Sequence, residues 1–257
     1  MATRDTAWPD GTPCWVDLMT TDIEAARTFY GDLFGWEFDI GPAETGNYSS
    51  ALIDGRRVAG IFTMDADHPP VWSTYLATSD TDATSDDAVR AGGTVISPAM
   101  DVMDLGRMAV LKDPTGGTFG AWQAGTHFGF QVSNETGAVI WNELLTREYD
   151  AAREFYAAVF SYSYTDMGDA GFQYSTVEVD GNTVGGIGTL PEGVPAEVPA
   201  HWRVYFAVDD ADEAVAKAVS TGAEVIRPAM DMPYGRHADL ADPQGAFFSV
   251  IKPGAPG

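Results

Sequence analysis

One stretch of this chain is written twice. Pro13–Tyr30, PCWVDLMTTDIEAARTFY, returns as Val139–Tyr156, VIWNELLTREYDAAREFY. Trp15 falls on Trp141, Asp17 on Glu143, and Ala25-Ala26-Arg27-x-Phe29-Tyr30 on Ala151-Ala152-Arg153-x-Phe155-Tyr156, at a constant offset of 126 residues. Self-similarity on this scale means repeated supersecondary units, and 257 residues hold two domains of ordinary size.

Each copy has the same local grammar. Trp15, Asp17 and Met19 alternate with Cys14, Val16 and Leu18, which reads as a strand. Asp22 then stands at an N-cap, and Ile23, Ala26, Phe29, Tyr30 and Leu33 recur at helical spacing up to Gly35. Short strands follow at Trp36–Ile40, Tyr48–Ile53 and Val58–Thr63, with Asp54-Gly55 as a hairpin turn. The order strand, helix, three strands begins again at Val71, at Val139 and near Trp202. Pro98-Ala99-Met100-Asp101 recurs as Pro228-Ala229-Met230-Asp231, and Gly106-Arg107 as Gly235-Arg236. Asp113-Pro114-x-Gly116 recurs as Asp242-Pro243-x-Gly245. The Pro-Ala-Met-Asp and Asp-Pro-x-Gly segments read as turns.

These readings give four βαβββ modules, at about 13–63, 71–123, 138–190 and 201–252. Domain one spans 1–125, a linker 126–137, and domain two 138–257. The class is α+β. Trp72 and Trp202 take the helix-facing phase and belong to the core.

Four such modules with these turns resemble the vicinal oxygen chelate superfamily, which includes glyoxalase I, bleomycin resistance proteins and extradiol dioxygenases. The further pattern Val58-Ala59-Gly60-Ile61, Trp72, Pro98 to Asp101, Gly106-Arg107 and Asp113 to Gly116 is similar to its tandem, actinobacterial-type branch. That branch includes proteins of aromatic polyketide antibiotic pathways. The resemblance implies two glyoxalase-like domains with curved mixed sheets around clefts and helices outside. It leaves open whether module one pairs with module two or with module four.

In metal-dependent relatives a histidine stands seven residues before the helix-opening Asp, where this chain has Trp15 and, in the second half, Trp141. The second ligand position holds Ser73 and Arg203, and the usual glutamate is replaced by Gly120 and Ser249. An indole has no lone pair to give and a guanidinium repels a cation, so no metal and no cofactor are expected. By alternation the clefts are lined by Trp15, Asp17, Met19, Phe62, Tyr75 and Trp122 in the first half. The second half offers Trp141, Glu143, Arg203, Tyr205 and Phe247. Indole and phenol faces suit a planar guest, at about 0.5–1.5 kcal/mol per aromatic contact beyond area burial.

Two functions follow from these residues and the resemblance. One is a metal-free protein that sequesters a planar, cationic aromatic compound such as an antibiotic, for resistance or relief of product inhibition. Asp17 or Glu143 would counter the guest's charge. The other is an enzyme of secondary metabolism, a lyase, isomerase, cyclase or hydroxylase-type accessory, with Asp17 or Glu143 as base and His237 or Arg203 as partner.

The net charge of −24 argues against nucleic acid and anionic membranes as partners. No stretch approaches a membrane span and the single Cys14 excludes an internal disulfide, so a cytoplasmic protein is expected. Four modules complete two clefts, so a monomer suffices and a homodimer is allowed.

Overall fold

The computed structural model describes residues 3–65, 67–168 and 171–254, so the outermost residues of the two expected domain ranges lie outside the described residues. The first half runs β1 (Pro13–Thr20), α1 (Ile23–Phe34), β2 (Glu37–Ile40), β3 (Ser49–Ile53) and β4 (Arg56–Thr63). It continues with β5 (Val71–Ala77), α2 (Thr81–Arg90), β6 (Thr94–Val102), β7 (Gly106–Lys112) and β8 (Thr118–Ala124). The second half repeats it with β9 (Val139–Thr146), α3 (Tyr149–Phe160), β10 (Ser163–Asp166), β11 (Tyr174–Val179) and β12 (Asn182–Thr189). Then follow β13 (His201–Ala207), α4 (Ala211–Ser220), β14 (Glu224–Met232), β15 (Gly235–Ala241) and β16 (Phe247–Pro253).

Local chemistry explains these boundaries. The Asp22 carboxylate accepts from the Ala25 amide to cap α1, and Gly35 ends that helix in the left-handed region. Asp54-Gly55 and Asp180-Gly181 both have positive φ at the two central positions, the type I′ geometry that matches strand twist in a two-residue hairpin.

The strands form two eight-stranded sheets, ordered β2-β3-β4-β1-β5-β8-β7-β6 and β10-β11-β12-β9-β13-β16-β15-β14. Module one therefore pairs with module two, and three with four. The joint is antiparallel in both, with Trp15 opposite Tyr75 in one and Trp141 opposite Tyr205 in the other. Every cleft wall is thus built within one half.

The Pro-Ala-Met-Asp segments are not turns. Pro98 to Asp101 and Pro228 to Asp231 lie inside the edge strands β6 and β14, where the register slips before the proline and again across it. An edge strand accommodates the missing N–H, and a bulge absorbs the extra residue. The aspartate of each segment meets the following Gly-Arg: Arg107 Nη1 donates to Asp101 Oδ1 at 2.9 Å and Arg236 Nη1 to Asp231 Oδ1 at 3.1 Å.

The helices pack on the sheet face opposite Trp15 and Asp17, and α1 meets α4 and α2 meets α3 between the halves. Each helix keeps its outer side exposed to solvent. Trp72 and Phe206 meet at 5.2 Å between ring centroids, and Thr74 Oγ1 donates to Asn142 Oδ1 at 3.0 Å between the central strands β5 and β9. Two matched chains of hydrogen bonds cross this interface. Trp72 Nε1 donates to Tyr30, whose hydroxyl donates to Asp242 Oδ2 at 3.0 Å. Trp202 Nε1 donates to Tyr156, whose hydroxyl donates to Asp113 Oδ2, also at 3.0 Å. The other oxygen of each aspartate is taken by amides of its own Asp-Pro-x-Gly turn. The terminal tyrosine of the repeated Phe-Tyr pair thus holds the opposite half.

Candidate functional site

On β1, Val16 and Leu18 point into the helix-packed core with no exposed surface, which leaves Trp15, Asp17 and Met19 for the concave face. The same phase on β9 presents Trp141, Glu143 and Leu145. Neighbouring strands add residues in register. Asp17 lies opposite Ser73 on β5 and Gly60 on β4, while Tyr75 lies opposite Gly120 on β8.

In the first cleft the Asp17 carboxylate is enclosed by donors. Trp15 Nε1 and the Tyr48 hydroxyl each reach Oδ1 at 2.8 Å, and the Tyr75 hydroxyl donates as well. Burial pushes the Asp17 carboxyl up to about 6, and the hydrogen bonds from Tyr48, Trp15 and Tyr75 pull the other way without cancelling it. In the second cleft Glu143 accepts from Tyr174 at 2.9 Å and Tyr205 at 2.6 Å, and Trp141 Nε1 donates to Tyr174 at 2.9 Å.

The frame of tryptophan, carboxylate and two tyrosines is therefore common to both halves, and two of its members escaped the sequence reading. Tyr48, just before β3, and Tyr174, at the start of β11, lie two strands away from the carboxylate. Their reach depends on a glycine. A Cβ on Gly60 would lie 2.0 Å from both Asp17 Oδ1 and the Tyr48 hydroxyl, and one on Gly186 would lie 2.1 Å from the Tyr174 hydroxyl. The signal was available, because both the tyrosines and the glycines keep the offset of 126.

The two clefts differ in cover. His127 and Phe130, from the segment joining the sheets, close over Trp15 with ring centroids at 4.4 and 5.6 Å, leaving it 4 % exposed. The segment is pinned there. Phe130 N donates to Cys14 O at 2.8 Å, and Trp122 Nε1 donates to His127 O at 2.9 Å. Gly129, at φ +94°, passes so near the Cys14 carbonyl that a Cβ would lie 2.2 Å from it. Burial pushes His127 down to about 4, with the nearby Arg57 charge adding to it. Trp122 is thus on the cleft face as expected but sealed beneath His127. Met19 and Phe62 are half-buried, the latter stacked on Tyr48 at 6.4 Å.

In the second cleft Trp141 is half-buried, more open than Trp15. Arg203 Nη1 donates to Asp239 Oδ2 at 3.1 Å, and Ser249 Oγ donates to Asp239 Oδ1 at 2.7 Å. Arg227 approaches the same carboxylate at 3.6 Å. His237, on the cleft face of β15, has its ring 6.1 Å from Tyr205, and burial lowers its proton affinity. His201 Nδ1 sits 2.9 Å from the Pro199 carbonyl. Phe247 is on this face but 59 % exposed at the end of β16, so it marks the rim rather than the wall.

The positions that would hold the superfamily's metal do not fit one. Trp15 uses its only polar atom as a donor to Asp17 and Tyr48. Gly120 offers no ligand, and the Tyr75 ring lies where its side chain would be, 2.0 Å from an added Cβ. In the second half the matching place holds Arg203, already paired with Asp239. Among the described residues no group of three or more His, Cys, Asp or Glu converges as a metal ion requires.

Comparison with known proteins agrees with this architecture. Residues 14–120 match the model of the Glyoxalase/Bleomycin resistance protein/Dioxygenase superfamily, and residues 139–251 match that of the Glyoxalase-like domain. The protein CFP32 of Mycobacterium tuberculosis (strain CDC 1551 / Oshkosh) is 48% identical over 251 residues, 95% of either chain. The anthracycline biosynthesis protein DnrV of Streptomyces peucetius is 38% identical over 263 residues, 96% of this chain and 95% of its own. The Mn(II)-bound glyoxalase from Novosphingobium aromaticivorans shares the fold at a TM-score of 0.67, with 15% identity over 95% of this chain and 82% of its own. With two matched domains, and relatives this similar along nearly the whole length, the chain belongs to the glyoxalase, or vicinal oxygen chelate, superfamily.

Proposed function

We propose that this protein binds a planar aromatic small molecule without a metal ion, and that the guest enters the second cleft beside Trp141. One observation carries the reading: the residues at the superfamily's metal-ligand positions do not make a ligand set, while the same face offers an indole and two phenols around a carboxylate. Aromatic faces hold a flat conjugated guest by stacking and area burial. The likeness to DnrV, a protein of anthracycline biosynthesis, supports a guest of that kind. Sequestration of such a compound would protect the host or relieve inhibition of an upstream enzyme.

A cationic guest was expected to pair with Asp17 or Glu143. Both carboxylates are already satisfied by phenol hydroxyls, so the reading keeps the planar guest and drops the demand for a positive charge. No described helix is long and apolar enough to cross a membrane, consistent with the cytoplasmic location proposed here. Because each cleft is completed within one half, a monomer is the functional unit of this reading.

The enzymatic reading has one observation in its favour. A carboxyl titrating at about 6 is placed for proton transfer near neutrality. Asp17, however, is 7% exposed and enclosed by Trp15, Tyr48 and Tyr75.

The test is mass spectrometry of co-purified small molecules, joined to quenching of tryptophan emission by an anthracycline. Saturable quenching that weakens in Trp141→Ala but persists in Trp15→Ala, with the compound recovered unchanged, is expected. Stoichiometric transition metal in the purified protein together with turnover would sink the proposal.

A further inference from the structure

The fold contains its own control, because each cleft can be read against the other position by position. The tryptophan, carboxylate, two tyrosines and cleft glycine occur in both. A polar wall occurs in only one. Where the second cleft has Arg203, Arg227, His237, Asp239 and Ser249, the first has Ser73, Ser97, Met108, Val110 and Gly120. Packing of the fold does not require the wall, since the first half folds on the same plan without it.

The wall's charges are unevenly matched. Asp239 is shared between Arg203 at 3.1 Å and Arg227 at 3.6 Å, and its second oxygen is taken by Ser249. Arg227 is the loosely held member, with its side chain 36% exposed. His237, facing Tyr205 from two strands away, adds an imidazole whose proton affinity burial lowers. Glu143 lies deeper on the floor, closed by Tyr174 and Tyr205. A guest stacked on Trp141 would therefore meet basic donors at its edge rather than an open carboxylate.

We infer that the second cleft recognises an acidic oxygen on its aromatic guest, a phenol, enol or carboxylate, through Arg227 and Arg203 with Asp239 fixing the latter. This rests on the planar-guest reading above and names the chemistry of that guest's edge. Guanidinium forks suit such an oxygen because they donate in a plane, which a ring-borne oxyanion shares.

The probes are alizarin, a dihydroxyanthraquinone with an ionisable ring oxygen, and its dimethyl ether, which stacks equally but cannot ionise. Binding to the intact chain is followed by tryptophan quenching at pH 8. Alizarin should bind at least tenfold more tightly than the ether. Arg227→Gln should bring that ratio towards one, as should Arg203→Met combined with Asp239→Asn, a pair that leaves no lone buried charge. Tyr48→Phe, in the sealed first cleft, should leave the ratio unchanged. Thermal melts of each variant establish that it is folded, and Arg227→Gln keeps the test alive if the double variant is not. Equal binding of both dyes, or a ratio unmoved by Arg227→Gln, overturns the inference while the planar-guest reading stands. Failure of both dyes to bind overturns the two together.

Discussion

Trp15 stands between two groups whose proton affinities are shifted in opposite senses, and this makes a sharp test of the first cleft. An ordinary aspartate carboxyl titrates near 3.8, but burial lifts Asp17 to about 6. Between these values the folded chain holds a proton that the unfolded chain has released, so stability falls as pH rises through the window. The shift, at about 1.36 kcal/mol per unit, amounts to about 3 kcal/mol. His127 runs the other way. Its ordinary 6.5 is pushed down to about 4, so the unfolded chain takes up the proton first and stability rises with pH through that window. That shift is also worth about 3 kcal/mol. In the intact protein the two slopes nearly cancel. Asp17→Asn should uncover the histidine: relative to the parent, its stability should climb by about 3 kcal/mol from about pH 4 to about pH 6. His127→Phe should uncover the aspartate and decline by a similar amount over about pH 4 to 6.5. Urea unfolding at steps across this range measures both, and differences from the parent cancel all other titrating groups. If either difference is flat with pH, the burial argument for that residue is wrong.

Gly60→Ala and Gly186→Ala should each cost about 1–3 kcal/mol of stability by overpacking, since the new methyl would meet Tyr48 or Tyr174 at about 2 Å; melting temperature reads this, and an unchanged value refutes the packing. Tyr30→Phe and Tyr156→Phe should each cost about 1–3 kcal/mol in urea unfolding, because each strands a buried tryptophan N–H and removes a donor from Asp242 or Asp113. A loss in one of these and none in the other would break the proposed equivalence of the two halves. Arg107→Gln and Arg236→Gln should each cost less than about 1 kcal/mol despite their paired aspartates, because those aspartates are exposed and water screens them.

The fold was legible because the repeat carries it. Asp22, Gly35 and Asp54-Gly55 act at the places where their chemistry requires, and strand alternation sorted Trp15 from Val16 and Trp72 from Tyr75. Three features resisted for physical reasons. Pro98 and Pro228 look like turn residues, and only the sheet order shows that β6 and β14 are edges where a proline is tolerated. Tyr48 and Tyr174 act at a distance of two strands, through a tyrosine leaning over a glycine, which no local period encodes. His127 and Phe130 lie in an aperiodic joining segment, whose seat on Trp15 depends on tertiary packing alone.

The separation of frame from wall bears on what this chain carries at the superfamily's metal-ligand positions. A buried carboxylate needs compensation, and hydrogen bonds to a charged acceptor are worth about 1.5–3 kcal/mol each. The indole N–H and phenol hydroxyls around Asp17 supply them, yet the carboxyl still titrates at about 6, so desolvation outweighs even this set. In the first half the frame is covered by the joining segment. In the second it stays half-open and is joined by Arg203, Arg227 and Asp239, which no packing argument explains. One cleft is closed by His127 and Phe130 and the other carries Arg203, Arg227 and Asp239, which is why the proposed guest is assigned to the second.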